Sequence, residues 1–248
     1  KNKRKPLMSN PMSLVDHLEE LRWRILKSLG SILIMSIITF NFANELVEIL
    51  ISPATSIKSD LNLQVLTIQG MFLLKWNLSI IGGIILSIPV ITVQVWKFLS
   101  PGLYDKEKKI LLPLILTAFL CFLLGGIFAY TIVLPFSLDF FASMITADIQ
   151  NNFSINYYFS FVLSLIIGAG IIFELPIVSF LFSSIGLINP TFLRKYRREA
   201  IAITVILSAI ITPPDPISLI IMSIPMLILY EISIAVSWFA IKLFSVDK

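Results

Sequence analysis

Three carboxylates carry most of the chemistry open to this chain. Glu20 stands in "DHLEELRWRI" (16 to 25), Glu107 in "SPGLYDKEKK" (100 to 109) and Glu174 in "GIIFELP" (170 to 176). Glu174 has the sharpest setting: the uncharged run Ile149 to Phe173 precedes it and Leu175 to Leu193 follows it. A carboxylate so placed faces a cavity, pairs with another group or takes up a proton. Its ordinary structural use is an interhelical hydrogen bond. Glu20 has an ordinary use as well, an i,i+4 pair with Arg24 worth about 0.2–0.5 kcal/mol. Glu107, among three lysines, reads in the same way as a solvated loop acid. If Glu20 and Glu107 converge instead, they form a small acidic site that selects a guanidinium. Carboxylates accept paired hydrogen bonds from Arg that Lys does not reproduce.

The remaining residue types argue against catalysis. His17 is the only histidine and reads as a helix-surface residue, so no Ser–His dyad is available within the apolar segments. "HLEEL" supplies no second His for an HExxH site, and no GxxxxGK[ST] loop occurs. Cys121 is alone, which excludes a disulfide framework and a CxxC pair. An aspartyl dyad would need two Asp within apolar stretches, and the acids there are Glu174 and, near the inner end of the last span, Glu231. The expectation is a protein that is not an enzyme and holds no metal and no cofactor.

These residues need elements to position them, and composition says which kind. Of 248 residues, 57% are apolar and 14% charged, with mean hydropathy +0.92; soluble domains carry about 25% charged residues. A helix crossing a bilayer needs roughly 20 apolar residues. The uncharged runs predict six transmembrane helices near 28–44, 76–96, 110–134, 157–181, 200–213 and 216–233, an all-α integral membrane protein with the last two helices short. An even number of crossings leaves both termini on one side. That side then holds Lys1, Lys3, Arg4, Lys5, Arg22, Arg24, Lys27, Lys97, Lys106, Lys108, Lys109, Arg194, Lys195, Arg197, Arg198, Lys242 and Lys248, leaving Lys58 and Lys75 opposite. Basic residues collect on the cytoplasmic face, or on its organellar equivalent. The net charge of +4 is therefore a topology signal and gives no reason to expect nucleic acid.

Along the chain, residues 1–27 read as a basic flank and an amphipathic helix. Leu14, Leu18, Leu21 and Ile25 share a face, and Ser13 with Asp16 makes a capping-box pattern. Such a helix can lie at the membrane surface before turning into the first span. No signal peptide is visible in the first fifteen residues. Glu45 to Gly70 and Phe136 to Tyr157 read as outer segments, and Pro101 with Gly102 ends the second span in a tight inner loop. Gly168, Gly170 and Pro176 allow close helix approach and a kink beside Glu174. Asn189 and Pro190 open a basic inner helix. In "TPPDP" (212 to 216), Pro213 and Pro214 stop one helix while Asp215 and Pro216 start the next.

Several of these stretches together carry a resemblance. "DHLEELRWRI", "QVWKFLSPGLYDKEKK", "GIIFELP", "RKYRREA" (194 to 200) and "TPPDPISLIIMSIPMLILYEISI" (212 to 234) resemble, in order, the signatures of the TatC family. This is the multi-spanning receptor subunit of the twin-arginine protein translocase. The resemblance runs from about Ser13 to Ile241, and implies one TatC-like membrane domain over 1–248 shaped as a cup-like bundle. It implies that Glu20 and Glu107 bind the paired arginines of a signal peptide, with Arg22, Phe98, Pro101, Leu103 and Tyr104 supporting them. Glu174 matches the family's buried glutamate, associated with single-span partner subunits and the deeper signal peptide; Asp215 matches an acidic position in the last outer turn. Implied partners are folded cargo with twin-arginine signals, TatA-like and TatB-like subunits, further copies of the chain, and the lipid bilayer. The family often has Glu-Arg where this chain has Glu107-Lys108.

Two expectations compete with, or refine, that reading. A proton-coupled small-solute transporter using Glu174 would need several polar residues facing one another in mid-membrane, and the sequence supplies one strong candidate. The Ile-, Lys- and Asn-rich composition, with the style of the motifs, favours a chloroplast thylakoid membrane over a bacterial inner membrane.

Overall fold

In hydrocarbon every backbone N–H and C=O must find its partner inside the protein, so long apolar runs have little choice but to become helices. The computed structural model describes residues 14–56, 62–99, 108–144, 152–212 and 216–245. In chain order these form α1 (Leu14–Phe40), α2 (Ala43–Ser56), β1 (Asn62–Gln64), α3 (Gly70–Leu99), α4 (Lys108–Phe128), a π-helical segment (Ala129–Val133) and α5 (Leu134–Ser143). Then follow β2 (Asn152–Ser154), α6 (Ile155–Phe173), α7 (Leu175–Ser184), α8 (Pro190–Lys195), α9 (Arg197–Ile211) and α10 (Pro216–Ser245). The result is an all-helical membrane protein. Among the described residues, five stretches are long and apolar enough to cross a bilayer: His17–Phe40, Gly70–Phe98, Leu112–Ser143, Ile155–Ser184 and Pro216–Leu243. The 15 residues of α9 reach only about 22 Å at 1.5 Å per residue, as the shortness of its uncharged run predicts.

Four expectations are corrected. The N-terminal amphipathic helix does not turn before the first span; α1 is one unbroken helix of 27 residues. Lys27 ends the run of hydrocarbon-compatible residues, but a charge ends no helix. Residues 45–56 of the expected outer loop belong to α2, with Pro53 only in its last turn. The final helix is not short: α10 runs for 30 residues, because Glu231 interrupts the uncharged run and leaves the helix intact. The all-α expectation omitted one short parallel pairing, β1 with β2, in register Asn62–Asn152, Leu63–Phe153 and Gln64–Ser154.

Small residues set the helix contacts, since apolar burial drives little association in lipid and close packing must do so. Helix α1 lies antiparallel along α3. A Cβ on Gly83 would come within 2.6 Å of the Ser36 backbone nitrogen, and Ser31 Oγ donates to Ser87 Oγ at 3.1 Å. A Cβ on Gly170 of α6 would strike the Phe122 ring of α4 at 2.5 Å. Between α7 and α10, Ser179 Oγ donates to the Ser233 carbonyl at 2.9 Å and Ser183 Oγ to Ser237 Oγ at 2.6 Å. The main buried cluster includes Val133, Leu134, Phe159, Val162, Leu165, Met222 and Met226, drawn from four separate elements.

Candidate functional site

The antiparallel register of α1 on α3 brings the N-terminal turns of α1 to the C-terminal turns of α3. Going from Ser31–Ser87 toward the α1 N-terminus, the next polar contact is Arg24 Nη1 donating to Gln94 Oε1 at 3.5 Å. Beyond it the His17 imidazole stacks on the Phe98 ring, with centroids 4.4 Å apart and planes inclined by 13°. Trp96, 2% exposed, fixes this end of α3 in a second core cluster with Leu114, Ala118, Ile177, Phe180, Leu181 and Ala240. The platform beneath Phe98 is therefore anchored on α4, α7 and α10.

Glu20 lies between these two contacts. Arg24 Nε donates to its Oε1 at 3.0 Å, and Arg24 Nη2 contacts the same oxygen. The ordinary use expected of Glu20, an i,i+4 pair, is thus present. It uses one oxygen only. Oε2 is buried and accepts no hydrogen bond among the described residues; His17 Nδ1 stands 4.0 Å from it. A buried carboxylate oxygen without a partner is costly, about 1–3 kcal/mol or more, so it has unused capacity for a donor. Arg22 is exposed on the same turn of α1. Pro101, Leu103, Tyr104 and Glu107 lie outside the described residues, between the end of α3 and the start of α4 at Lys108. Asp215 is likewise outside them, just before α10.

Glu174 stands at a break. It caps α6, donating its backbone N–H to the Ile171 carbonyl at 3.1 Å, and its own carbonyl accepts from Val178 N at 2.9 Å. Pro176 falls in the first turn of α7, which accounts for the expected kink. The side chain is half-buried, and its Oε1 has no hydrogen-bond partner among the described residues. The interhelical hydrogen bond that would make it merely structural is not seen there. Glu20 and Glu174 are not joined by any described contact: one belongs to the α1–α3 end, the other to the α6–α7 break.

Sequence reading missed Gln94 and the stacking of His17 on Phe98. Gln94 was visible two residues before Trp96, but its link to Arg24 depends on helix register, which spacing within one helix does not reveal. Among the described residues no group of three or more His, Cys, Asp or Glu is placed to hold a metal ion.

Comparison with known proteins bears on the same residues. The family described as Sec-independent protein translocase protein (TatC) matches residues 16–225. The TatC protein of Aquifex aeolicus is 39% identical over 225 residues, covering 90% of this chain and 93% of that relative. TatCy of Bacillus subtilis is 37% identical over 92% of this chain and 89% of its own length. A crystal structure titled as the twin arginine translocase receptor TatC superposes with TM-score 0.79 at 39% identity, covering 90% of this chain and 99% of that one. The relatives named are bacterial, which gives the thylakoid expectation no support. With the matched region taking in the Glu20 turn, the α6–α7 break and the start of α10, the chain belongs to the TatC family and is a multi-pass membrane component of the Sec-independent protein translocase.

Proposed function

We propose that this chain is the receptor that recognises twin-arginine signal peptides of folded cargo, in a bacterial inner membrane. The observation that carries this reading is the buried Oε2 of Glu20, without a hydrogen-bond partner among the described residues, beside the His17–Phe98 stack. A guanidinium brought there finds an acceptor already desolvated and a ring face for its plane. Glu107 supplies the second carboxylate from the following loop, with Arg22, Phe98, Pro101, Leu103 and Tyr104 forming the surround. The apolar part of the signal then enters the membrane beside the bundle. Glu174 receives a polar contact from a single-span TatA-like or TatB-like subunit or from the inserted signal, receptor copies associate, and the proton gradient drives transport. Six crossings, with both termini on the cytoplasmic side, complete the reading.

Charge-assisted hydrogen bonds contribute about 1.5–3 kcal/mol each, roughly ten- to a hundredfold in binding. Glu20→Gln and Glu107→Gln should each reduce photo-crosslinking to a twin-arginine precursor by about that factor while the protein stays folded in detergent. Undiminished crosslinking in the double variant would reject this site. The transporter reading predicts uptake of a small solute by the chain alone in vesicles.

A further inference from the structure

The place beside Glu20 already has an occupant from within the chain. His17 stands in the first turn of α1, three residues before Glu20, a spacing that puts both on one helix face. Its imidazole lies against the Phe98 ring, with centroids 4.4 Å apart and planes inclined by only 13°. The same imidazole holds Nδ1 4.0 Å from Glu20 Oε2, the buried oxygen without a hydrogen-bond partner among the described residues. An arriving guanidinium would need the same two neighbours, a ring face for its plane and a carboxylate oxygen for its N–H groups. A histidine therefore stands where an arginine would stand.

It fills that place only in part. At 4.0 Å no hydrogen bond forms, since charge-assisted N–H···O bonds run to about 2.7–2.9 Å. The neighbouring groups are held more tightly. Arg24 Nε donates to Glu20 Oε1 at 3.0 Å and Arg24 Nη1 to Gln94 Oε1 at 3.5 Å, while Trp96, two residues before Phe98, is buried. The side chains of Arg24 and Glu20 are 19% and 20% exposed, and that of His17 is 40% exposed. Swinging into water, the imidazole gives up a stack but no hydrogen bond among the described residues. We propose that His17 is a placeholder for an arginine of the signal peptide. Its imidazole covers the α1-facing side of Phe98 and Glu20 Oε2 while the receptor is empty, and the incoming guanidinium displaces it. The inference rests on the arginine-binding reading of Glu20 and adds to it a regulating residue. Because the peptide must first break an aromatic stack, it binds roughly two- to tenfold more weakly than it would to an uncovered site, and it leaves more readily.

His17 is the only histidine of the chain, so the full chain, labelled with ¹³C-histidine and purified without a polyhistidine tag, gives a single imidazole NMR signal. In the empty receptor that signal should carry the upfield ring-current shift of the Phe98 stack, and Phe98→Leu should remove the shift. A saturating twin-arginine signal peptide should remove it as well. His17→Ala should bind the peptide roughly two- to tenfold tighter than wild type. His17→Phe, which keeps a ring against Phe98, should bind no tighter. An unshifted imidazole in the empty receptor would overturn the inference without any variant. So would a His17→Ala affinity equal to or below that of wild type. Peptide binding that weakens in Glu20→Gln, while the His17 signal of wild type stays shifted at saturation, would overturn the placeholder and leave the arginine-binding reading standing. Binding indifferent to Glu20→Gln and to replacement of both signal arginines by lysine would remove that reading, and the placeholder with it.

Discussion

Glu20 and Glu174 show how far single residues can be read. Both are acids in apolar company, and in each one buried oxygen lacks a partner among the described residues. Sequence distinguished Glu174 at once, because it is a lone charge between uncharged runs of 25 and 19 residues. Glu20 was less legible: Arg24 four residues on suggests a surface pair, and that pair exists. What spacing could not show is that the pair consumes one oxygen and leaves the other buried without a partner among the described residues. The two acids should fail differently. Glu174→Ala sits at the α6–α7 break and keeps the α1–α3 end intact, so copurification of single-span partners should fall more than precursor crosslinking at position 20. Normal partner recovery with normal transport would remove Glu174 from the mechanism.

At the scale of elements, helices were legible where apolar runs were long, and their ends were not. Charge was the cue used for ends, and Lys27 and Glu231 both lie inside continuous helices. Helix α2 escaped notice because Pro53 reads as a breaker. Proline at 53 cannot donate to the carbonyl of Ile49; instead Tyr130 Oη donates to that carbonyl at 2.7 Å, and Tyr158 Oη to the Leu50 carbonyl at 2.7 Å. Tyr130 thus satisfies the carbonyl that the proline frees, and Tyr158 ties the next carbonyl of the same turn. Tyr130→Phe should lower stability by about 1 kcal/mol, read as a lower unfolding midpoint in detergent. Adding Pro53→Ala should restore much of the loss, since residue 53 can then donate to Ile49. The α1–α3 contact makes a sharper test. Gly83→Ala places a methyl 2.6 Å from the Ser36 backbone nitrogen and should cost about 1–3 kcal/mol by forcing the helices apart. In contrast Gly30 has nothing within 4 Å of its absent Cβ, so Gly30→Ala should be neutral or gain up to about 1 kcal/mol of helix propensity. If Gly83→Ala melts like wild type, the register that carries Glu20 to Phe98 is wrong.

For the whole molecule, the open quantity is whether α9 crosses the membrane. Its 15 residues fall roughly 8 Å short of a hydrocarbon core of about 30 Å. Yet α9 lies antiparallel beside the first half of α10, from Ser208–Ser223 at 3.1 Å to Arg197–Glu231 at 2.8 Å. If α10 crosses, α9 is carried with it through most of the same depth, and a locally thinned bilayer absorbs the rest. Charge favours this arrangement, since a crossing α9 puts the basic run Arg194 to Arg198 and Lys242 on one face with the other inner cations. Five crossings would send Lys242 to the face opposite Lys27. Single cysteines in a Cys121→Ser background separate the two arrangements in intact cells treated with a membrane-impermeant maleimide. Gln64→Cys, in the outer β1–β2 pair, should label from outside. Lys27→Cys, Lys195→Cys and Lys242→Cys should stay unlabelled until the membrane is opened, then label together. A Lys242→Cys that reacts from outside while Lys27→Cys does not would mean that α9 only dips into the bilayer. The six-crossing topology would then have to be given up.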